Sequence, residues 1–177
     1  MSYLRLRDQA VELIKEAMLP LYPRMSVQAH PGIFTEATIR KDAQKSPAIL
    51  TSLVRAADGV HANSVTFVSW VLFRAEAEDA LCDGALRIVS ALTLSLREAD
   101  FPVPVRDTRI ESECVHAGRM DGAWTTLWAV QWTLELGGRA LPLIGETLEG
   151  VGGMDGFGGT TRVGTVETGG ETSMEDD

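Results

Sequence analysis

Cysteine is scarce in this chain of 177 residues, which contains only Cys82 and Cys114. The two are far apart in sequence, and neither has a second cysteine close by. This spacing excludes a disulfide framework and a Cys-x-x-Cys metal or redox motif. We therefore expect both residues to be buried free thiols.

Basic residues are outnumbered by acidic ones. The chain has 16 lysines and arginines and 25 aspartates and glutamates, which give a formal net charge of −9. A surface of this sign repels phosphates, so specific nucleic-acid binding is disfavoured, although a passive path for DNA stays open. The uncharged stretch from Gly59 to Phe73 is shorter than the roughly 20 residues that a bilayer requires. The N-terminus shows no secretory apolar region. We expect cytoplasmic synthesis and no membrane span.

Motifs that mark catalysis or metal binding are missing from the sequence. His30, His61 and His116 form no HExxH or His-x-His pattern, and no GxSxG elbow occurs. The glycine-rich stretch from Gly150 lacks the GK[ST] ending of a phosphate loop. We therefore predict no enzyme, no cofactor and no metal site. A site assembled by the fold, such as Cys114 and His116 with a carboxylate, is the alternative.

Two segments carry the apolar spacing of helices. Residues 3–18 predict an amphipathic helix that ends before Pro20. A longer helix begins near Ala75 and ends before Pro102. Its apolar stripe consists of Leu81, Ala85, Ile88, Val89, Leu92 and Leu96. Residues 19–46 are weakly patterned and predict a long connection.

Asp-Gly occurs twice between β-rich runs, at residues 58–59 and 121–122, and predicts two hairpins. The first covers residues 47–74 and the second residues 106–136. The last strand carries three tryptophans on one face, Trp124, Trp128 and Trp132. Interleaved threonine and valine predict that these rings pack in the core, with a stacking platform for bases or sugars as the alternative.

The order helix, hairpin, helix, hairpin predicts an α+β fold, a mostly antiparallel four-stranded sheet with the helices on one face. Residues 150–177 contain nine glycines, six acidic residues and one arginine, and such a segment cannot form a core. We therefore predict a domain at residues 1–149 and an extended, glycine-rich acidic arm at residues 150–177.

The strand at residues 60–73 is apolar on both faces, whereas two helices can cover only one face of the sheet. We interpret the second face as a contact with a neighbouring subunit, with cover from residues 19–46 as the alternative. The arm is expected to lie on a partner. The candidate contact residues are Val68, Trp70 and Leu72 on the strand and Met154, Phe157 and Arg162 on the arm.

The layout of residues 3–137 resembles the Gp37-like tail proteins of Mu-like phages and, more loosely, the tail terminators of long-tailed phages. The shared features are the first helix ending near Pro20, the strand start Ser46-Pro47-Ala48-Ile49-Leu50, the helix from Asp83 to Arg97, and the strand Ala123-Trp124-Thr125-Thr126-Leu127-Trp128-Ala129-Val130-Gln131-Trp132.

The resemblance implies a hexameric ring that stacks on the last ring of the tail tube, stops tube growth and meets head-completion or neck proteins. It also implies a virion location at the head-proximal end of the tail, contact with the sheath if the tail contracts, and DNA that passes without specific binding. It brings no catalytic residues. The alternatives are another head-tail connector or tail-completion protein, or a small-molecule-binding α+β domain.

Deletion of residues 150–177 tests the predicted domain boundary. We expect the shortened chain to keep its far-ultraviolet circular dichroism and its thermal midpoint, because the arm adds no core, and to assemble less well, because the arm contacts a partner. Loss of folding on this truncation would show that the boundary is misplaced.

Overall fold

The computed structural model describes residues 3–32, 36–57, 63–101 and 103–137, all within the unit Met1–Gly145. These residues form three helices and five strands. In chain order the elements are α1 (Tyr3–Met18), β1 (Ser26–Ala29), α2 (Glu36–Ala43), β2 (Ala48–Ala57), β3 (Asn63–Ala75), α3 (Glu78–Glu98), β4 (Val105–Met120) and β5 (Ala123–Leu136). The predicted arm, with Met154, Phe157 and Arg162, and the predicted boundary at 149–150 lie outside the described residues, as does His61.

The five strands form one sheet in the order β1-β2-β3-β5-β4. The prediction of an α+β fold with a mostly antiparallel sheet is confirmed, but the sheet has five strands rather than the predicted four, because β1 adds a strand that runs parallel to β2. The backbone N–H of His30 extends this pairing by donating to the carbonyl of Thr51 at 2.9 Å. Four residues are too few to show a strand period, so β1 was hidden within residues 19–46.

The helices pack on both faces of the sheet, which corrects the prediction of helices on one face. Because strand side chains alternate, neighbouring β2 residues Ala48 and Ile49 point to opposite faces. Ile49 joins the main core beneath α1 and α3, whereas Ala48 packs with Ala43 of α2. The segment predicted as a connection therefore supplies both a strand and a helix.

The two long helices follow their sequence patterns closely. α1 spans the predicted residues, and its buried face consists of Leu6, Ala10, Val11, Ile14 and Met18. In α3 all six residues of the predicted stripe are buried: Leu81, Ala85, Ile88, Val89, Leu92 and Leu96. Spacing over several turns thus identified the face of α3 that packs on the sheet.

Both predicted hairpins are present as antiparallel pairs, β2 with β3 and β4 with β5. In the second, Met120 pairs with Ala123, and the intervening Asp121 and Gly122 have φ of 49° and 81°. Two successive positive φ values define the type I′ turn, whose twist matches that of the strands it joins.

The centre of the main core is Trp132, whose ring is fully buried. It stacks on Phe67 with ring centroids 4.3 Å apart and on Phe101 at 5.7 Å. Its Nε1–H donates to Ser69 Oγ at 3.1 Å, and Ser69 Oγ lies 3.0 Å from Thr51 Oγ1. These contacts confirm core packing for Trp132, and Trp128 packs against the same core.

Thr51, Ser69 and Trp132 form a hydrogen-bonded column in the core, and Ser69→Ala tests it. The substitution leaves the Trp132 N–H and the Thr51 hydroxyl without their partner, so we expect a loss of about 1–3 kcal/mol in the free energy of unfolding. Urea denaturation measures it. Ser64→Ala, on the same strand but only half-buried, is the control and should stay within about 0.5 kcal/mol of the wild type. Equal effects of the two substitutions would refute the role of the column.

At Gly84, α3 packs closely on the sheet, because a Cβ at this position would lie 2.4 Å from ring atoms of Phe73. Alanine gains about 1 kcal/mol over glycine in a helix, but overpacking typically costs about 1–3 kcal/mol. We expect Gly84→Ala to destabilise the protein, as measured by the thermal midpoint. Ser90→Ala, at an exposed position of α3, should be neutral or slightly stabilising. A stabilised Gly84→Ala variant would show that the ring of Phe73 moves aside freely.

Candidate interaction surface

Along β2 and β3, the second face of the sheet is covered from within the chain. Leu72 is fully buried, Val68 is 7% exposed, and Trp70 is half-buried. Ala43 and Ile39 of α2 belong to the apolar cluster that contains Leu72. The alternative weighed from the sequence, cover by residues 19–46, is therefore correct at Leu72, which offers no surface to a partner. Of the three strand residues, Trp70 keeps the most exposed surface.

β4 is a long, exposed strand at the edge of the sheet. It is the last strand of the sheet, and among the described residues no strand pairs with its outer edge. It is 16 residues long, and most of its side chains are exposed. Its inner edge pairs with β5 from Val105 to Met120. Since an unpaired edge presents a row of backbone donors and acceptors, β4 is the natural place for another chain to add a strand.

The face of β4 that points away from the main core is charged. Its residues at alternate positions are Asp107, Arg109, Glu111 and Glu113. Arg109 bridges to Glu135 of β5 at 2.6 Å and approaches Asp107 at 3.5 Å. Exposed ion pairs of this kind contribute roughly 0–1 kcal/mol. These ion pairs therefore contribute little to the stability of β4, and their main effect is on the distribution of charge along its edge.

A β-bulge interrupts β4 at Val115. Cys114 pairs with Trp128 and His116 pairs with Leu127, so Val115 is the extra residue between them. Its side chain is 50% exposed. Bulges bend a strand and re-aim its side chains, and this one presents an apolar side chain at the open edge. No signal in the sequence separated Val115 from its neighbours in the strand.

The two described histidines lie apart. His30 follows β1, where its Nδ1 accepts the Gly32 N–H at 3.0 Å and its Nε2 lies 3.9 Å from Asp42 Oδ2 of α2. Lys45 Nζ lies 3.5 Å from the other oxygen of Asp42. Burial lowers the pKa of His30, and the neighbouring Asp42 carboxylate opposes that effect only in part. The pair links α2 to the end of β1.

The composite site of Cys114, His116 and a carboxylate is not assembled. Cys114 Sγ lies 3.5 Å from the backbone carbonyl of His116, a contact that does not involve the imidazole. The cavity that Cys114 lines has mainly apolar walls. Within the described ranges, no group of three or more histidines, cysteines and carboxylates is placed to hold a metal ion.

Both cysteines are exposed, which corrects the prediction of buried thiols. Cys82 of α3 and Cys114 of β4 line one cavity of about 140 Å³. The prediction failed because the spacing of β4 gives the face on which Cys114 lies but not whether a helix covers that face. The cavity brings together two residues that are distant in sequence.

A larger open cleft of about 720 Å³ lies where α3 leads into β4. Its lining includes two arginines and two aspartates: Arg97, Asp100, Arg106 and Asp107. The opposite charges offset one another, so the cleft shows no preference for a ligand of one sign.

Comparison with known proteins adds no relative. No protein-family model matches the chain, and no curated protein matches it. In the part of the chain that the structure describes, no helix has the length and apolar character needed to cross a bilayer.

The pH dependence of stability tests the buried His30. Since its folded pKa lies below the unfolded value of about 6.5, the unfolded chain binds the proton first. Stability is therefore lost as the pH falls below about 6.5, until the folded pKa is reached. We expect the urea midpoint to fall more between pH 7.5 and pH 5.5 in the wild type than in His30→Gln.

His116→Gln is the matched control for that measurement, because His116 is exposed on β4. Its pH dependence should follow that of the wild type. A wild-type protein that gains stability on acidification, or a His30→Gln variant with an unchanged pH profile, would refute the assignment.

Proposed function

We propose that the chain is a structural virion protein that caps the head-proximal end of a phage tail tube. It acts as a ring, with six copies the expected number, and it joins the tube to head-completion or neck proteins and, in a contractile tail, to the last sheath ring. The observation that carries the proposal is the long, exposed outer edge of β4. The resemblance of residues 3–137 to tail proteins supplies the biological setting.

The two ends of the sheet differ, which favours head-to-tail contacts. One end is the full length of β4. At the other end β1 pairs with residues 48–51 of β2, and within the described residues no strand pairs with the outer side of residues 52–57. Contacts between two different patches give rings when the rotation between subunits closes and filaments when it does not, whereas identical patches give two-fold dimers.

Charge disfavours some registers of the two-fold alternative. If two β4 strands paired antiparallel about Ser112, Glu111 of each copy would face Glu113 of the other. If they paired about Glu111, that carboxylate would face its own copy. Like charges directly opposite each other destabilise a sheet. Pairing about Ile110 would instead place Arg109 of each copy opposite Glu111 of the other, which is attractive, so the preference for head-to-tail contacts rests on the difference between the two ends of the sheet.

The acidic balance of the chain also fits the proposal. A net charge of −9 makes the wall of a ring repel the phosphate backbone, so DNA can pass without being held. Trp70, half-buried beside α2, stays a candidate contact with a partner. Met154, Phe157 and Arg162 stay candidates on the arm.

The alternative is that the chain is another head-tail connector or tail-completion protein. Such a protein would use the same β4 edge, so it differs from a tube cap only in its position within the particle. The small-molecule alternative rests on the 720 Å³ cleft. Its offsetting charges leave the chemistry of a ligand undefined, and the edge of β4 is the stronger feature.

Solution mass and tube length together test the ring. We expect the purified chain, at high concentration or on added tail tubes, to form a species of six times its 19.2 kDa mass and to stop the growth of tubes in electron micrographs. A chain that stays monomeric in the presence of tubes and leaves their length unchanged would refute the proposal. Labelling of the subunit in purified particles separates the cap from other tail-completion proteins.

Val115→Asp tests whether the β4 edge is the contact. The residue is exposed and unpaired in its bulge, so we expect the fold to survive and assembly to weaken by at least about tenfold, because an unpaired carboxylate would be buried at the contact. Leu21→Asp, at a residue that is 60% exposed and distant in sequence from β4, is the control and should assemble like the wild type. Normal rings from Val115→Asp would move the contact elsewhere.

A further inference from the structure

We infer that Cys82 and Cys114 together form a paired-thiol site for a soft, two-coordinate metal ion of the Cu(I) class. The inference goes beyond the proposed function and does not depend on it. It rests on the cavity that both cysteines line.

The site is formed where α3 passes over the part of the sheet next to β4. Cys82 lies in the second turn of α3, and Cys114 lies on β4 just before the bulge. Both residues are exposed, so an ion in solution can reach them. They are the only cysteines in the chain, and the fold places both on one cavity of about 140 Å³.

The other residues of the cavity are almost all apolar: Leu81, Leu86, Ala117, Thr126 and Trp128. Hard cations such as Mg²⁺ and Ca²⁺ require several oxygen ligands, which this wall does not supply. Soft ions prefer thiolate, and Cu(I) is selected by sulfur ligands. An apolar surround with two thiols therefore favours a soft ion that needs few ligands.

Polar contacts are concentrated on Cys114. Its Sγ lies 3.6 Å from Thr126 Oγ1 and 3.5 Å from the carbonyl oxygen of His116. Thr126 Oγ1 donates to the same carbonyl at 2.9 Å, which fixes the hydroxyl. These neighbours hold Cys114 on the cavity wall and accept its S–H when no ion is bound.

Binding converts Cu⁺ and two R–SH groups into [Cu(SR)₂]⁻ and two H⁺. Two S–H bonds break, two Cu–S bonds form, both protons pass to the buffer, and no electron is transferred. Because two protons are released, the affinity should rise with pH.

Competition with a coloured Cu(I) chelator tests the site. The folded protein, fully reduced and kept under nitrogen, is titrated against Cu(I)-bicinchoninate, and loss of the chelate colour reports transfer. We expect one Cu(I) per chain. We also expect Cys82→Ser and Cys114→Ser each to weaken binding by at least about tenfold, because a single thiolate cannot complete the coordination.

Ser112→Ala is the matched control, since Ser112 lies on the same face of β4 as Cys114 but does not line the cavity. It should bind like the wild type. Circular dichroism and urea midpoints check that each variant is folded, and serine is a mild substitution at these exposed positions.

Three outcomes would overturn the inference. The first is a wild-type protein that takes no Cu(I) from the chelator. The second is a loss of half the capacity in each single variant, which would mean two independent thiols. The third is equal binding by the wild type unfolded in urea, which would mean that the fold contributes nothing and that the thiols bind the ion adventitiously.

Discussion

A column of three buried polar side chains sets the arrangement on which the rest of the structure depends. Thr51, Ser69 and Trp132 come from three adjacent strands, and their hydrogen bonds run across the sheet within the apolar core. A slip of one residue in any of these strands would turn its polar group to the opposite face and leave the others without partners. The column therefore specifies one register among many that the apolar residues alone would allow, and α1 and α3 then pack on the surface that this register creates.

Sequence reasoning succeeded where a pattern was long and local. α1 and α3 each repeat their apolar spacing over several turns, and both hairpins are marked by Asp-Gly. It failed for β1 and α2, because four and eight residues are too short for a period to stand out. The missed helix then made the second face of the sheet look uncovered.

The candidate surface shows the same difference between patterns within one strand and contacts between residues distant in sequence. Alternation correctly put Trp70 and Leu72 on one face of β3, but only the packing of α2 decides that Leu72 is buried. In the same way, the strand pattern of β4 was visible while its place at the edge was not, because strand order depends on β3 pairing with β5 across the whole of α3 and β4. The cavity that Cys82 and Cys114 both line also depends on that order, and no spacing within the sequence could have indicated it.

The open edge of β4 has a consequence for the isolated protein. An exposed strand of 16 residues without proline is the kind of template on which misfolded chains stack into fibrils. Three arginines and three acidic residues along it raise the cost of stacking, because identical copies in register would place each charge against its own kind. The charges along β4 thus oppose in-register stacking of identical copies on this edge.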